Sequence, residues 1–380
     1  MSSSGERIAT ASFLIAGSFA LAALLALRLA LESAGYVAAA LVLAALGALA
    51  FAWSRKRVGP PLCAALLNLL VVVPELGLRS AGFRYVSGIE FGYPAADEFF
   101  EFALDSELFW KLPPDGEWVN SWGFFGPEPR IPKPTGTRRV LYLGDSCSQQ
   151  GYPQAWPELA TERLASSGVQ GLDEVNLALS GYSSHQGRVL AERYGASLAP
   201  DLVVVFFGWN DHWRARGAID AEKRIDARWE SLYRRVKLLQ LARKWFGGPE
   251  APPLDATRVP PEQFAENLRA IAESFGRAGA KLLFVTAPTT HDRAVPDYLV
   301  ERGFVGSKEE ALAQHRAYAQ IVREVAAASG AALLDLERAL SEDARRERWF
   351  LEDGIHFTEE GRAAVAELCA RRVSELALLR

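Results

Sequence analysis

The sequence predicts an α/β domain, a parallel sheet layered between helices, behind an N-terminal segment of transmembrane helices. Three observations carry this expectation. The first eighty or so residues hold little charge, whereas the remainder reads like a soluble protein. From Arg138 onward, short apolar runs alternate with longer stretches of helical periodicity, the pattern of strands joined by crossover helices. Small and polar residues capable of chemistry follow several of the strand runs, where functional groups collect in open parallel sheets.

Residues 8–27 and 33–54 are free of charge. Each run is long enough for a helix to cross the hydrocarbon core, which takes about 20 residues. A third apolar run, 58–74, opens with Gly59-Pro60-Pro61 and contains Asn68. It is short for a span, and a re-entrant or interfacial helix is the alternative. The cluster Arg55-Lys56-Arg57 is of the kind that stays in the cytoplasm. Three spans then place everything after Leu76 on the non-cytoplasmic side of a plasma or inner membrane. A cleaved signal peptide fits poorly, because a second apolar run follows the first at once. The expected organisation is a membrane anchor over 1–79, a connecting region over 80–133 and an α/β domain over 134–380.

The connecting region is rich in aromatic residues, among them Phe109, Trp110, Trp118, Trp122, Phe124 and Phe125. A free linker would not carry so many apolar rings, so this region is expected to pack on the domain that follows. Within the domain, Val140-Leu141-Tyr142-Leu143 reads as the first strand and Val175-Asn176-Leu177-Ala178 as the second. Residues 202–207, 281–286 and 331–336 supply three more. Helical patterns cover 157–165, 186–198, 261–277 and 308–328, and a last helix follows His356. The alternation predicts a three-layer, flavodoxin-like arrangement. One stretch, 212–248, interrupts it. From His212 to Lys244 there are ten Arg or Lys against four Asp or Glu, a net of +6. Trp229, Leu232, Tyr233, Val236 and Leu239 recur at helical spacing there. It reads as a basic amphipathic insertion, either packed on the domain or facing a membrane or the substrate.

Composition excludes several classes. The net charge over 380 residues is −4, which gives no overall basic excess for nucleic acid. Cys63, Cys147 and Cys369 are scattered, so they form neither a disulfide framework nor a metal spacing. No His-Glu-x-x-His motif is present, and no cofactor is expected.

Chemistry is signalled by Gly144-Asp145-Ser146, directly after the first strand. A serine hydroxyl needs a base to become a nucleophile. The sequence has five histidines: His185, His212, His291, His315 and His356. His315 falls in a helical pattern and is expected at the surface, whereas His185, His212 and His291 follow strands. His356 is set apart by Asp353, three residues earlier, which can accept the imidazole Nδ1–H and leave Nε2 free for the serine proton. Gly181, after the second strand, lets a backbone N–H approach a substrate. Asn210, in Gly208-Trp209-Asn210-Asp211 after the third, adds a side-chain donor. The Ser146 N–H, Gly181 N–H and Asn210 Nδ2 are the expected donors to a developing oxyanion.

These four blocks, in this order, resemble those of the SGNH (GDSL) hydrolase family over residues 138–380. Asn120-Ser121-Trp122-Gly123-Phe124 and Gly126-Pro127-Glu128 resemble the lead-in of its bacterial membrane-anchored members. The resemblance implies Ser146 as nucleophile, Asp353 and His356 as its triad partners, and Gly181 and Asn210 in the oxyanion hole. It implies an ester hydrolase acting on acyl esters, with envelope glycans or lipids as candidate substrates. Gly144-x-Ser146-x-Ser148 departs from the Gly-x-Ser-x-Gly elbow of the α/β-hydrolases. Two alternatives share the same residues: an O-acyltransferase that passes the Ser146 acyl group to a glycan, and a non-catalytic binding or assembly protein on this fold.

Overall fold

The structure, a computed structural model, describes residues 60–85, 102–246 and 253–379. The first two apolar runs, and 86–101 of the connecting region, lie outside the described residues. The chain divides into two compact units, one made of Met1–Gly88 with Arg228–Glu250, the other of Ile89–Ala227 with Ala251–Arg380.

In chain order the strands are β1 (Ala103–Asp105), β2 (Phe109–Lys111), β3 (Arg138–Gly144), β4 (Leu172–Asn176), β5 (Leu202–Phe206), β6 (Arg214–Arg216), β7 (Pro253–Thr257), β8 (Lys281–Val285) and β9 (Ala332–Leu334). Five of them form one sheet in the order β4-β3-β5-β8-β9, with every pairing parallel. β3 and β5 are apolar without alternation because both sheet faces are covered, and Val140 to Leu143 and Leu202 to Phe206 are all buried. Val140 and Tyr142 share a core with Trp156, Ala160 and Leu164 of the helix Trp156–Ser166 and with Val365, Ala366 and Cys369 of the helix Glu359–Glu375. Alternation along the strand sends Leu141 and Leu143 to the opposite face. Each such burial contributes roughly 1.5–3 kcal/mol.

The chain runs from β3 outward to β4, then returns to the other side of β3 as β5. That reversal opens a crevice beyond the carboxyl ends of β3 and β5. The second strand begins earlier than its apolar run suggests and ends at Asn176. There the side-chain Oδ1 accepts the Ala178 N–H at 3.0 Å and turns the chain out of extended geometry.

The connecting region packs on this unit. β1 and β2 form an antiparallel hairpin, the Trp110 ring is 1% exposed, and Trp122 and Phe125 stack on Tyr194 and Tyr152. Trp118 stays exposed.

Two expectations need correction. The insertion 212–248 is not one helical element. Its first part pairs β6 with β7, and helices begin only at Ala227–Arg235 and Lys237–Phe246, the latter wholly in the other unit. The third apolar run is helical, Pro60–Ser80, but among the described residues no helix is long and apolar enough to cross a membrane. Its last turns carry Glu75 and Arg79, and it packs against the insertion. The Glu75 carboxylate accepts the Lys237 and Leu238 N–H groups at 3.0 and 2.9 Å, and so caps the helix Lys237–Phe246. Leu78, Phe83 and Leu241 are buried together beside it.

Candidate active site

Ser146 begins a four-residue helix directly after β3, with Asp145 as its cap. Gly144 makes this tight exit possible, since a Cβ there would come within 2.6 Å of Ser148 Oγ and 3.1 Å of the Phe206 carbonyl. The Asp145 carboxylate accepts the Cys147 N–H at 2.9 Å. Burial pushes that carboxyl up to about 6, even with the Cys147 bond opposing it. The Cys147 thiol is buried too, 3.6 Å from the Ile355 carbonyl.

On the loop before the last helix, Asp353 Oδ1 accepts the N–H groups of Ile355 and His356, both at 2.9 Å. The turn brings the His356 ring back over its own aspartate. His356 Nδ1 lies 2.6 Å from Asp353 Oδ2, and His356 Nε2 lies 2.8 Å from Ser146 Oγ. Burial alone would raise the Asp353 carboxyl, but the bonds from His356 and the two backbone N–H groups outweigh it and hold it below its ordinary value. Gly354 sits at φ +68°, and its carbonyl accepts from Thr289 Oγ1 and from the Thr290 N–H. His291 Nε2–H donates to the Asp353 carbonyl at 2.8 Å. The segment after β8 therefore braces the turn that presents Asp353 and His356.

The remaining histidines divide differently from expectation. His315 is not at the surface but 2% exposed, stacked on Trp209 at 4.2 Å. Its Nε2–H donates to the Ala287 carbonyl at 2.9 Å, and its Nδ1 faces His212 Nε2 at 3.3 Å. Its helix turns this side inward, because the apolar Trp209 face offers burial and Ala287 offers a partner. Burial pushes His315 down to about 3 and His212 well below its ordinary value, so both are neutral packing groups. His185 stacks on Phe109. Only His356 is hydrogen-bonded to Ser146 among the described residues.

After β4, the loop carrying Gly181 is tied to the serine turn. Leu179 N–H donates to the Gly144 carbonyl, and Ser180 N–H donates to Gln149 Oε1 at 2.7 Å. Asn210 Nδ2 donates one hydrogen to the Tyr182 carbonyl at 3.0 Å, which leaves its second hydrogen for another acceptor. Neither the Ser146 N–H nor the Gly181 N–H has a hydrogen-bond partner among the described residues. Asp211 accepts the Ser184 N–H at 2.8 Å, and burial pushes its carboxyl up to about 7. The sequence reading placed His291 after a strand without a role, and it missed other residues that hold these loops, notably Thr289, Asp220 and Arg258. An Asp–Arg pair separated by 37 intervening residues leaves no local pattern. Among the described residues no group of three His, Cys, Asp or Glu is placed to hold a metal ion.

A parallel sheet in this strand order, with hydrogen-bonded Ser, His and Asp side chains at its carboxyl end, defines a hydrolase architecture. The family profile of the GDSL-like lipase/acylhydrolases matches residues 142–364. The chain belongs to that family, and it is a carboxylic ester hydrolase. It is 24% identical over 253 residues to an isoamyl acetate-hydrolyzing esterase 1 homolog of Bos taurus, covering 63% of this chain and 85% of that protein. Among solved structures it is similar to a lipase/acylhydrolase from Enterococcus faecalis, with 18% identity, a TM-score of 0.44, and coverage of 63% of this chain and 97% of the other. It is also similar to the acetyl xylan esterase AlAXEase, with 20% identity, a TM-score of 0.42, and coverage of 62% and 99%.

Proposed function

We propose that the protein hydrolyses O-acyl esters by two-step acyl transfer through Ser146. The observation that carries the reading is the chain from Ser146 Oγ to His356 Nε2 at 2.8 Å and from His356 Nδ1 to Asp353 Oδ2 at 2.6 Å. His356 takes the hydroxyl proton as Ser146 Oγ attacks the ester carbonyl, while Asp353 fixes the tautomer and stabilises the imidazolium. The N–H groups of Ser146 and Gly181, with the second hydrogen of Asn210 Nδ2, receive the oxyanion. Collapse expels the alcohol, which takes the proton from His356. Water then attacks the acyl-enzyme with His356 again as base, and the acid leaves.

The substrates in this reading are acyl esters of envelope glycans or of lipids, met by a catalytic domain tethered at a membrane on its non-cytoplasmic side. Support comes from the charge-free runs 8–27 and 33–54, and from the basic helices that pack on Pro60–Ser80. Those helices expose Leu232 and Phe246 beside Arg235 and Lys244. A non-cytoplasmic domain requires a crossing after Arg57 that also draws on residues outside the described set.

The test is labelling of the solubilised protein with a fluorophosphonate, alongside turnover of acetyl, butyryl and longer nitrophenyl esters. Label should map to Ser146. Ser146→Ala and His356→Ala should each abolish nearly all turnover, with the double variant scarcely worse, because base and nucleophile act as one unit. A folded protein that neither labels nor turns over would be a binding protein instead. Transfer of the acyl group to added glycan in preference to water would make it a transferase.

A further inference from the structure

We infer that Trp110 and Arg258 are positioning residues that fix the Gly181 peptide as an oxyanion donor. The inference rests on the reading of the Gly181 N–H given above. A peptide group is planar and trans, so the Ser180 carbonyl and the Gly181 N–H point in opposite directions from one rigid plate. Whatever holds the oxygen aims the hydrogen. Trp110 Nε1 donates to the Ser180 carbonyl at 3.0 Å. The indole is itself immobilised, since Trp110 is 1% exposed, and the Trp110 backbone carbonyl accepts the Tyr182 hydroxyl at 2.6 Å, so the loop and the hairpin β1–β2 lock each other. A donor on the carbonyl also polarises the plate and strengthens the N–H on its far side.

The next plate is held from the other direction. Arg258 Nη1 donates to the Gly181 carbonyl at 2.9 Å. The guanidinium is fully buried and gripped by Asp220, with Nη2 to Oδ2 at 2.8 Å and Nε to Oδ1 at 3.3 Å. Lys223 Nζ adds a bond to Asp220 Oδ1 at 3.0 Å, and Ser183 Oγ one to Asp220 Oδ2 at 2.8 Å. Burial alone would raise the Asp220 carboxyl, but the two cations outweigh it and take it down to about 2. A fully buried ion pair is often no more stabilising than apolar residues of similar volume, so stability alone is a weak reason for this one. Its geometric effect is specific: with Asn210 on the Tyr182 carbonyl, three successive carbonyls, those of residues 180, 181 and 182, each receive a dedicated side-chain donor. The three donors come from three separate segments: Trp110 from the connecting region, Asn210 from the loop after β5 and Arg258 from just after β7.

The experiment uses the full-length solubilised protein with Trp110→Phe, which keeps a smaller aromatic ring and removes the N–H, and Arg258→Lys, which keeps the charge and removes the fork. Asp220→Asn is a third variant of unchanged shape. Active sites are counted by the endpoint of fluorophosphonate labelling, so unfolded molecules do not enter. Turnover of nitrophenyl acetate per counted site should fall about tenfold for Trp110→Phe and about 10- to 100-fold for Arg258→Lys, part of the 10²–10³ that loss of a whole donor costs. KM should stay within about twofold, affinity for a boronic acid that forms a tetrahedral adduct should fall in step with turnover, and the pH profile should keep its shape because Asp353 and His356 are untouched. Wild-type turnover per counted site in these variants, whatever their melting temperature, would overturn the inference. Failure of the parent reading looks different: the wild-type protein would not label at Ser146.

Discussion

Gly354→Ala isolates the contribution of one turn to the triad. The residue sits at φ +68°, and a Cβ there would come within 2.7 Å of Thr290 Oγ1 and 2.8 Å of His291 Cδ2. The left-handed backbone costs roughly 1–2 kcal/mol for an L-residue. Forcing apart packed neighbours costs roughly 1–3 kcal/mol more. The sum, about 2–5 kcal/mol, corresponds to a melting-temperature loss of roughly 4–20 °C for a domain of this size. The relief available is movement of the turn away from Thr290 and His291, which takes Asp353 and His356 with it. A displacement of about 1 Å in a catalytic group costs on the order of 10²-fold in rate. Gly279→Ala is the control, because Gly279 has φ +81° but nothing within 4 Å of its added Cβ. It should pay the backbone cost alone and keep full turnover. Melting curves and nitrophenyl ester turnover on both variants provide the comparison. If Gly354→Ala kept the turnover of Gly279→Ala, the brace from the β8 segment would have no part in presenting His356.

Three further outcomes are expected. Asn210→Ala should lower kcat by roughly 10²–10³ with little change in KM, and a raised KM at constant kcat in steady-state assays would make Asn210 a substrate contact instead. Asp211 has its folded pKa raised to about 7, above an unfolded value of about 4, so the stability it contributes at low pH is lost as pH rises through that window. Asp211→Asn should therefore gain on the wild type between pH 5 and pH 8, by up to roughly 2.5 kcal/mol, and urea unfolding at the two pH values that showed a constant difference would refute this. For topology, reporter fusions at Arg57 and Arg380 should report cytoplasm and exterior respectively; a cytoplasmic signal at Arg380 would remove envelope glycans from the candidate substrates.

The sheet was legible in the sequence because its central strands β3 and β5 are buried on both faces and so read as unbroken apolar runs, whereas β4, half-buried over Leu172–Glu174, showed only its last residues. The helix Pro261–Arg277 matches its periodic pattern at both ends. Ser146, Asp353 and His356 were legible because each lies at a strand or loop exit in a short local pattern, and the structure brings all three into hydrogen-bonding contact. What escaped was long-range. The inward face of His315 depends on Trp209, more than a hundred residues earlier. The hold on Gly181 depends on Trp110 and Arg258, one on the connecting region and one just after β7, both far from it in sequence. The split of the insertion at Ala227 escaped because its partner, the helix Pro60–Ser80, looked like lipid-facing sequence rather than a surface for packing.

That packing sets the order in which the protein can be finished during synthesis. The helix Pro60–Ser80 waits for the helix that its Glu75 caps, and for its apolar neighbour Leu241, until the ribosome has passed Phe246, roughly 10–30 s after Tyr85 at typical elongation rates. By then β3, β4 and β5 have already emerged. The unit that holds Pro60–Ser80 is closed by a stretch borrowed from the middle of the sequence, so that helix cannot complete its packing on its own. Its final assembly is a late event, gated by translation of the very region that lies between β5 and β8.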